Sequence, residues 1–386
     1  MRFSKRLRGA RMGRRMWTEG AATGVLLLAV TMMLQGCTTL RPGGESDTIK
    51  ATGKALSGFH YTTAEKFWKQ GNANLAIKYL QKAIENDPLQ IEPRLGLIDI
   101  YMARCLPDEA LITIRNCPEE MQEDPQLRER LVFALELQGD SEGAAAASDE
   151  AVAEGMNRTR LLVTRAEANL MLKDFSGARE LYEEAIRVDP ADWEALRALS
   201  KIYSLTGLHA EAGELLLRLI VLRPEEPQIA MESGLAFEEA GLIDDGIRRL
   251  YLHLFTADGH QRGDVGRALG YLYFQRELWP ECLHAYTLAR EVDEGLLDVH
   301  DRMRLAEALL RTGEILNAAT ELQSLLDRDP DNHVVRAALA LAYWKSGQRT
   351  RAEELVANTP RVQAAGEPGE ELLRAVIKRL RGGCLE

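Results

Sequence analysis

Small, large and polar positions recur along this chain at a fixed step. Ala76, Ala110, Ala144, Ala178 and Ala212 are each 34 residues apart; Gly246 takes the next place, Cys282 and Ala318 follow after 36, and Ala352 returns to 34. Eight residues before this small column runs a large one: Phe67, Tyr101, Leu135, Asn169, Tyr203, Phe237, Tyr273, Leu309 and Tyr343. Three residues before that, the column is small again, from Ala64 through Gly234 and Gly270 to Ala340. Four residues after the alanines, a further large column runs from Leu80 to Val356, with Ser148 as an exception. Offsets of three, four and seven put one apolar stripe on each of two short helices. Gly71, Gly139, Gly207, Gly241, Gly313 and Gly347 fall between the two helices, where a left-handed residue ends the first. Asp87-Pro88, Asp189-Pro190, Arg223-Pro224 and Asp329-Pro330 close four copies, since proline stops the second helix. The pattern predicts an all-α chain of helical hairpins, one unit copied about nine times.

The small column has a packing reason. Two antiparallel helices that cross closely leave no room for a leucine, and overpacking there costs about 1–3 kcal/mol. A single hairpin cannot bury its apolar face, so each copy depends on its neighbours.

With these small–large–small columns, the 34-residue period and the closing prolines, the chain resembles the tetratricopeptide repeat (TPR) family. The resemblance implies a right-handed superhelix, an α-solenoid, over residues 57–366. Copies begin near Ser57, Ile91, Pro125, Thr159, Trp193, Pro227, Gly263, Val299 and His333. Asn169 in the large column and Ser148 mark the least regular copies, and repeats six and seven lack the closing proline. The extra residues near 257–264 and 293–298 read as longer inter-repeat loops. Residues 367–386, with the amphipathic stretch Glu370–Arg381, read as a capping helix and tail that cover the last open face.

Residues 1–36 read as a lipoprotein signal peptide. Seven Arg and Lys residues between Arg2 and Arg15 precede Ala21–Leu34, an apolar run of fourteen, short for a membrane span and right for a secretory signal. The run ends Leu34-Gln35-Gly36-Cys37, which resembles a bacterial lipobox with Cys37 as the lipidated residue. More than one acyl chain gives stable anchoring. Thr38, rather than aspartate, follows the cysteine, and the resemblance then implies the outer membrane, with the repeats facing the periplasm. Residues 37–56 are expected to be the lipidated N-terminus and a flexible tether.

The chain carries a net charge of −11; the leader holds seven basic residues and Glu19, so the remainder is six charges more negative, −17. Such a surface is repelled by phosphate backbones and by anionic lipid, and nucleic acid is not an expected partner. Cys282 and Cys117 stand in small-residue columns and read as buried side chains. Cys105 and Cys117 are read at opposite ends of one second helix, roughly 18 Å apart at 1.5 Å per residue, beyond disulfide reach. The motifs of metalloproteases, serine hydrolases and phosphate-binding loops are absent. No catalytic residue, metal, cofactor or small-molecule substrate is expected.

In the family, the first helix of each hairpin lines a concave groove. Phe133, Arg197, Lys201, Tyr271 and Phe274 are the candidate partner-binding residues there, each costly to leave in water or charged against an acidic surface. Arg197 and Lys201 match half of a carboxylate clamp, but Glu232 stands where its next member belongs. The expected partner is a protein or peptide segment. The expected function is a non-catalytic scaffold or adaptor in a cell-envelope machine, resembling pilotins of type IV pilus secretins or adaptors of polysaccharide export. The alternatives are an adaptor of peptidoglycan enzymes, or an accessory subunit of a separate catalytic chain. Cys37→Ser should release the protein from membrane fractions or leave it unprocessed; outer-membrane fractionation with unchanged mobility would count against the lipobox.

Overall fold

A computed structural model of the chain describes residues 44–256 and 259–357. The leader, Cys37 and the closing helix expected at 367–386 lie outside the described residues. Among the described residues there are nineteen α-helices, one short 3-10 turn and no strand. The described residues divide into two compact units, one up to Leu181 and the other from Tyr182 on.

The first unit holds α1 (Gly44–Lys69), α2 (Ala73–Asn86), α3 (Ile91–Ala103), α4 (Pro107–Arg115), a single turn α5 (Glu119–Gln122), α6 (Pro125–Gln138), α7 (Ser141–Ala153) and α8 (Arg158–Met171). The boundary falls inside α9 (Phe175–Val188). The second unit continues with α10 (Trp193–Leu205), α11 (His209–Leu222), α12 (Gln228–Glu239), α13 (Ile243–Thr256), α14 (Gly259–Gln275) and α15 (Trp279–Val292). It ends with α16 (Val299–Thr312), α17 (Ile315–Arg328), α18 (His333–Lys345) and α19 (Arg349–Ala357). Within each unit successive helices pair into the hairpins that the columns predict.

The small column is where these hairpins close. Ala76, Ala110, Ala144, Ala178, Ala212, Cys282, Ala318 and Ala352 are all fully buried. Gly246 is smaller still for a specific reason: a Cβ there would lie 2.8 Å from the Cβ of Phe237. Gly270 answers Tyr286 in the same way, with ring carbons 2.8–2.9 Å from where its Cβ would be. A glycine on one helix makes room for a large ring on another, and close packing of the interior leaves no slack for both to be large.

The turn between the two helices of a hairpin is left-handed in every copy. Gly71, Gly139, Gly207, Gly241, Gly313 and Gly347 have φ between +72° and +89°, and Cys105, Lys173 and Glu277 hold the same place at +54° to +63°. Cys105 is therefore a turn residue and not the start of a second helix; α4 begins at Pro107. Cys105 and Cys117 are both free thiols. The following N-caps are chemically mixed. Asn72 and Asp140 accept backbone N–H groups of the second helix, whereas Leu106, Leu208 and Leu278 provide no side-chain cap.

Two expectations change. Residues 259–264 are not a loop: α14 starts at Gly259 and runs seventeen residues, so the extra residues lengthen a first helix. Gly263 permits this, because a Cβ there would meet Leu296 and Val292 at 2.5 and 3.0 Å, and Gln261 Nε2 donates to the Ile220 carbonyl at 2.6 Å. The insertion near 293–298 does form a connection, the 3-10 turn Glu294–Leu296, held by Leu297 in the core. Residues 44–56 are not a tether but part of the 26-residue α1. Ser57 Oγ, 2.8 Å from the Ala83 carbonyl, ties this helix to α2, and Gly53 allows the Asn86 carbonyl to approach.

A left-handed L-residue costs roughly 1–2 kcal/mol relative to glycine in the same place, less the chain entropy glycine loses. Glu277→Gly should stabilise the protein by about 0.5–1 kcal/mol. Gly139→Ala should destabilise it by a similar amount. Urea unfolding of both variants checks this.

Candidate functional site

The first helices carry two kinds of side chain towards one another: apolar residues that close the stack, and charged residues one repeat apart. The charged ones pair. In the first unit Asp99 on α3 accepts both Nε and Nη2 of Arg130 on α6, at 2.7 and 2.9 Å. Glu129 on α6 accepts Arg160 Nε at 2.8 Å and Thr164 Oγ1 at 3.1 Å from α8. Glu136, almost fully buried, accepts Arg165 Nε at 2.7 Å, Asn169 Nδ2 at 2.9 Å and Ser141 Oγ at 2.8 Å. Asn169, the polar exception in the large column, is thus a partner of this carboxylate.

The second unit repeats the device. Arg197 on α10 donates to Glu232 on α12 at 2.8 Å and pairs with Glu226 at 3.4 Å. Tyr271 on α14 donates its hydroxyl to Glu238 on α12, and the Arg304 guanidinium lies 4.8 Å from its ring centre. Burial, and then the hydrogen bond to Glu238, push the Tyr271 phenol above its ordinary pKa. Asp301 on α16 is completely buried; Arg267 Nε, Arg304 Nη1 at 3.0 Å and the Tyr286 hydroxyl at 3.4 Å converge on it. Arg267 also reaches Asp298 at 2.7 Å. Burial pushes the neighbouring Cys282 thiol up to about 12, so it stays protonated and unreactive as a thiolate.

The sequence-predicted groove residues divide accordingly. Phe133 is 2% exposed and sits in the core with Leu127, Ala134 and Leu137, so it is not an open anchor. Arg197, 7% exposed, is held by Glu226 and Glu232; the residue that breaks the carboxylate-clamp pattern is its counter-ion. Tyr271, 8% exposed, is held by Glu238. Phe274 is half-buried, edge-on to Trp279 at 5.5 Å. Lys201 is exposed. Burial also corrects the reason for choosing three of them: an apolar or charged residue read as costly to leave in water is already packed or paired. Of the residues that build this face with Asp99, the sequence reading did not single out Arg130, Glu136, Arg267 and Asp301. Their signal was present as opposite charges about one repeat apart. On the same face Leu235 is half-open, and Glu307 and Arg311 form an exposed pair at 3.2 Å. Among the described residues no group of three or more His, Cys, Asp or Glu is placed to hold a metal ion.

Removing one partner of a buried ion pair leaves the other charge without compensation, at about 3–5 kcal/mol. Asp301→Ala should therefore destabilise the second unit by about that much, and Glu307→Ala, on an exposed pair, by less than about 1 kcal/mol. Chemical denaturation of the two variants separates the cases.

Family models for the tetratricopeptide repeat match residues 67–132 and 309–374, and a second such model matches 164–227. The chain is 24% identical over 317 residues to the cellulose synthase operon protein C of Xanthomonas axonopodis pv. citri (strain 306), covering 80% of this chain and 20% of that protein. It is 25% identical over 183 residues to the TPR repeat-containing protein YvcD of Bacillus subtilis (strain 168), covering 47% of this chain and 36% of that one. The chain thus spans a fifth and just over a third of the length of these curated relatives. A solved structure of Pseudomonas aeruginosa PilF matches with a TM-score of 0.35 and 15% identity, covering 58% of this chain and 99% of that chain.

Proposed function

The chain belongs to the tetratricopeptide repeat family, and from that premise we propose that it is a lipid-anchored scaffold that gathers protein partners of a cell-envelope machine. Proteins of this family bind other proteins through the faces of their stacked hairpins. The observation that carries the reading is that hairpins take up the described chain from Gly44 to Ala357. Within each unit the first-helix face is a surface that successive repeats share.

The finer parts of the proposal rest on sequence. The basic start, apolar run and Leu-Gln-Gly-Cys ending support acylation of Cys37, and Thr38 supports the outer membrane with the repeats in the periplasm. Among envelope machines, polysaccharide export has the support of the relative named for a cellulose synthase operon. Pilus or secretin assembly rests on the resemblance to pilotins alone.

On the first-helix face the ligand meets paired charges and a few open side chains. A protein segment laid there contacts Lys201, Leu235 and the Glu307–Arg311 pair, and competes with the carboxylates for their arginines. Phe133, Arg197 and Tyr271 are unsuitable for testing it, because their loss would weaken the stack itself. Lys201→Glu and Leu235→Asp change exposed positions. Each should lower recovery of crosslinked envelope partners, with a loss of about tenfold in affinity for a true contact, or 1.4 kcal/mol. Unchanged recovery in both variants, with unchanged melting temperature, would remove the first-helix face from the proposal.

A further inference from the structure

Among the described residues no hairpin precedes α1 and α2, and the outward face of α1 is uncovered. Its positions follow one another at helical spacing: Ala55, Leu56, Phe59, Thr62, Lys66 and Lys69, all exposed. Phe59, at the centre of this stripe, is 56% exposed, and Leu56 is 42% exposed. The face turns onto α2 through a chain of rings. Phe59 meets His60 edge-on at 5.7 Å, His60 lies 5.7 Å from Tyr79, and Lys82 Nζ lies 5.4 Å from the Tyr79 ring centre. Burial, and then the nearby Lys82 charge, lower the pKa of His60, so the lysines carry the charge of this face at neutral pH.

The charge of this hairpin is opposite to that of the chain. Residues 44–86 hold six lysines against Glu45, Asp47, Glu65 and Glu85, a net charge of +2. Widening the count to residues 37–90 adds Arg41 and Asp87 and leaves it at +2. The repeats that follow, residues 91–332, carry 25 basic and 47 acidic residues, net −22. The residue type differs too. Residues 44–86 contain no arginine, and six of the ten lysines beyond the leader fall there. In the later repeats arginines fork onto carboxylates one repeat away. In the first hairpin no salt bridge among the described residues joins Lys54, Lys66, Lys69, Lys78 or Lys82 to a carboxylate, and all five are exposed. A flexible, hydrated ammonium suits a surface whose anions have no fixed positions, whereas a guanidinium fork suits a fixed carboxylate.

We propose that the outward face of the first hairpin rests on an anionic lipid surface, with Phe59 and Leu56 entering the headgroup boundary and the lysines facing lipid phosphates. The proposal rests on the reading of Cys37 as an acylated anchor, which sets its location. Cys37 stands seven residues before Gly44, and at about 3.5 Å per residue the two are no more than roughly 25 Å apart. The anchor therefore holds this hairpin beside the bilayer, and a weak attraction is multiplied by the high local concentration. An acyl group backed by a basic patch binds a membrane more firmly than either alone. The same lipids repel the acidic repeats that follow. The other basic stretch, from His333 on, is mostly arginine and lies at the opposite end of the sequence from Cys37.

The test uses the protein as purified from membranes, reconstituted in vesicles of phosphatidylcholine containing phosphatidylglycerol, with acyl chains brominated to quench nearby indoles. Phe59→Trp reports on the face. Ile112→Trp, at an exposed position on the second helix of repeat two, is the control, and the native tryptophans give the same background in both. The Phe59→Trp signal should be quenched at least about twofold more than the control. Lys66→Glu with Lys69→Glu should abolish the excess, whereas Lys345→Glu with Arg349→Glu, the same change of charge at exposed positions of repeat nine, should leave it. No excess quenching in a protein that still floats with the vesicles overturns the face and leaves the anchor standing. A parent protein that does not float overturns both. Excess quenching that persists in pure phosphatidylcholine, or that the repeat-nine changes remove equally, overturns the role of the lysines. A blue shift of Phe59→Trp with protein concentration, before vesicles are added, makes the occupant a second copy of the chain and overturns the lipid.

Discussion

At the point where the two helices of a hairpin cross, there is space for a methyl group, a thiol or a hydrogen, and the rest of each unit depends on that limit. Ala76, Ala212, Ala318 and their equivalents are buried completely. Where a neighbouring ring is larger, as with Phe237 or Tyr286, the facing residue becomes glycine. Close crossing makes each hairpin thin and leaves it with apolar faces that only the next hairpin can cover. Stability is therefore shared between neighbours, and a change at one crossing is felt by the copies on either side.

That dependence on neighbours explains the polar side of the stack. Once successive first helices are held one repeat apart, a carboxylate on one meets an arginine on the next. Asp99 with Arg130, Glu136 with Arg165 and Asn169, and Asp301 with Arg267 and Arg304 are instances. Buried pairs of this kind contribute little net stability but are costly to break singly. Their effect is to penalise a slipped register, since a shift of one position would strand a charge. They also limit what a partner finds on the first-helix face, where most charge is already neutralised by its neighbour.

The periodic features were legible because they repeat. Nine copies of one hairpin average out local exceptions, so the crossing column, the helix pairs and the six left-handed turns made by glycine could be read directly from residue spacing, whereas those at Cys105, Lys173 and Glu277 could not. The insertions were read less well. A two-residue excess with glycines at 259 and 263 looks like a loop in any local reading. It becomes helix because Gly263 lies against Val292 and Leu296, which a local reading does not bring together. In the same way Ala55 and Leu56 look like part of a polar tether until Ser57 is seen to bond the Ala83 carbonyl.

By itself, then, the sequence determined the fold class, the repeat register and the places where small residues and left-handed turns are required. Each of these follows from interactions within one repeat or from the period itself. Only the tertiary structure decided which side chains of the first-helix face are open. Phe133, Arg197 and Tyr271 carry the chemistry of a binding surface, and the sequence shows nothing that distinguishes an anchor awaiting a partner from one already satisfied. For Arg197 and Tyr271 the difference lies in residues 29 to 35 positions away, Glu226, Glu232 and Glu238. Their reach is set by helix length, crossing distance and side-chain rotamer, which the repeat pattern constrains too loosely to place a single hydrogen bond.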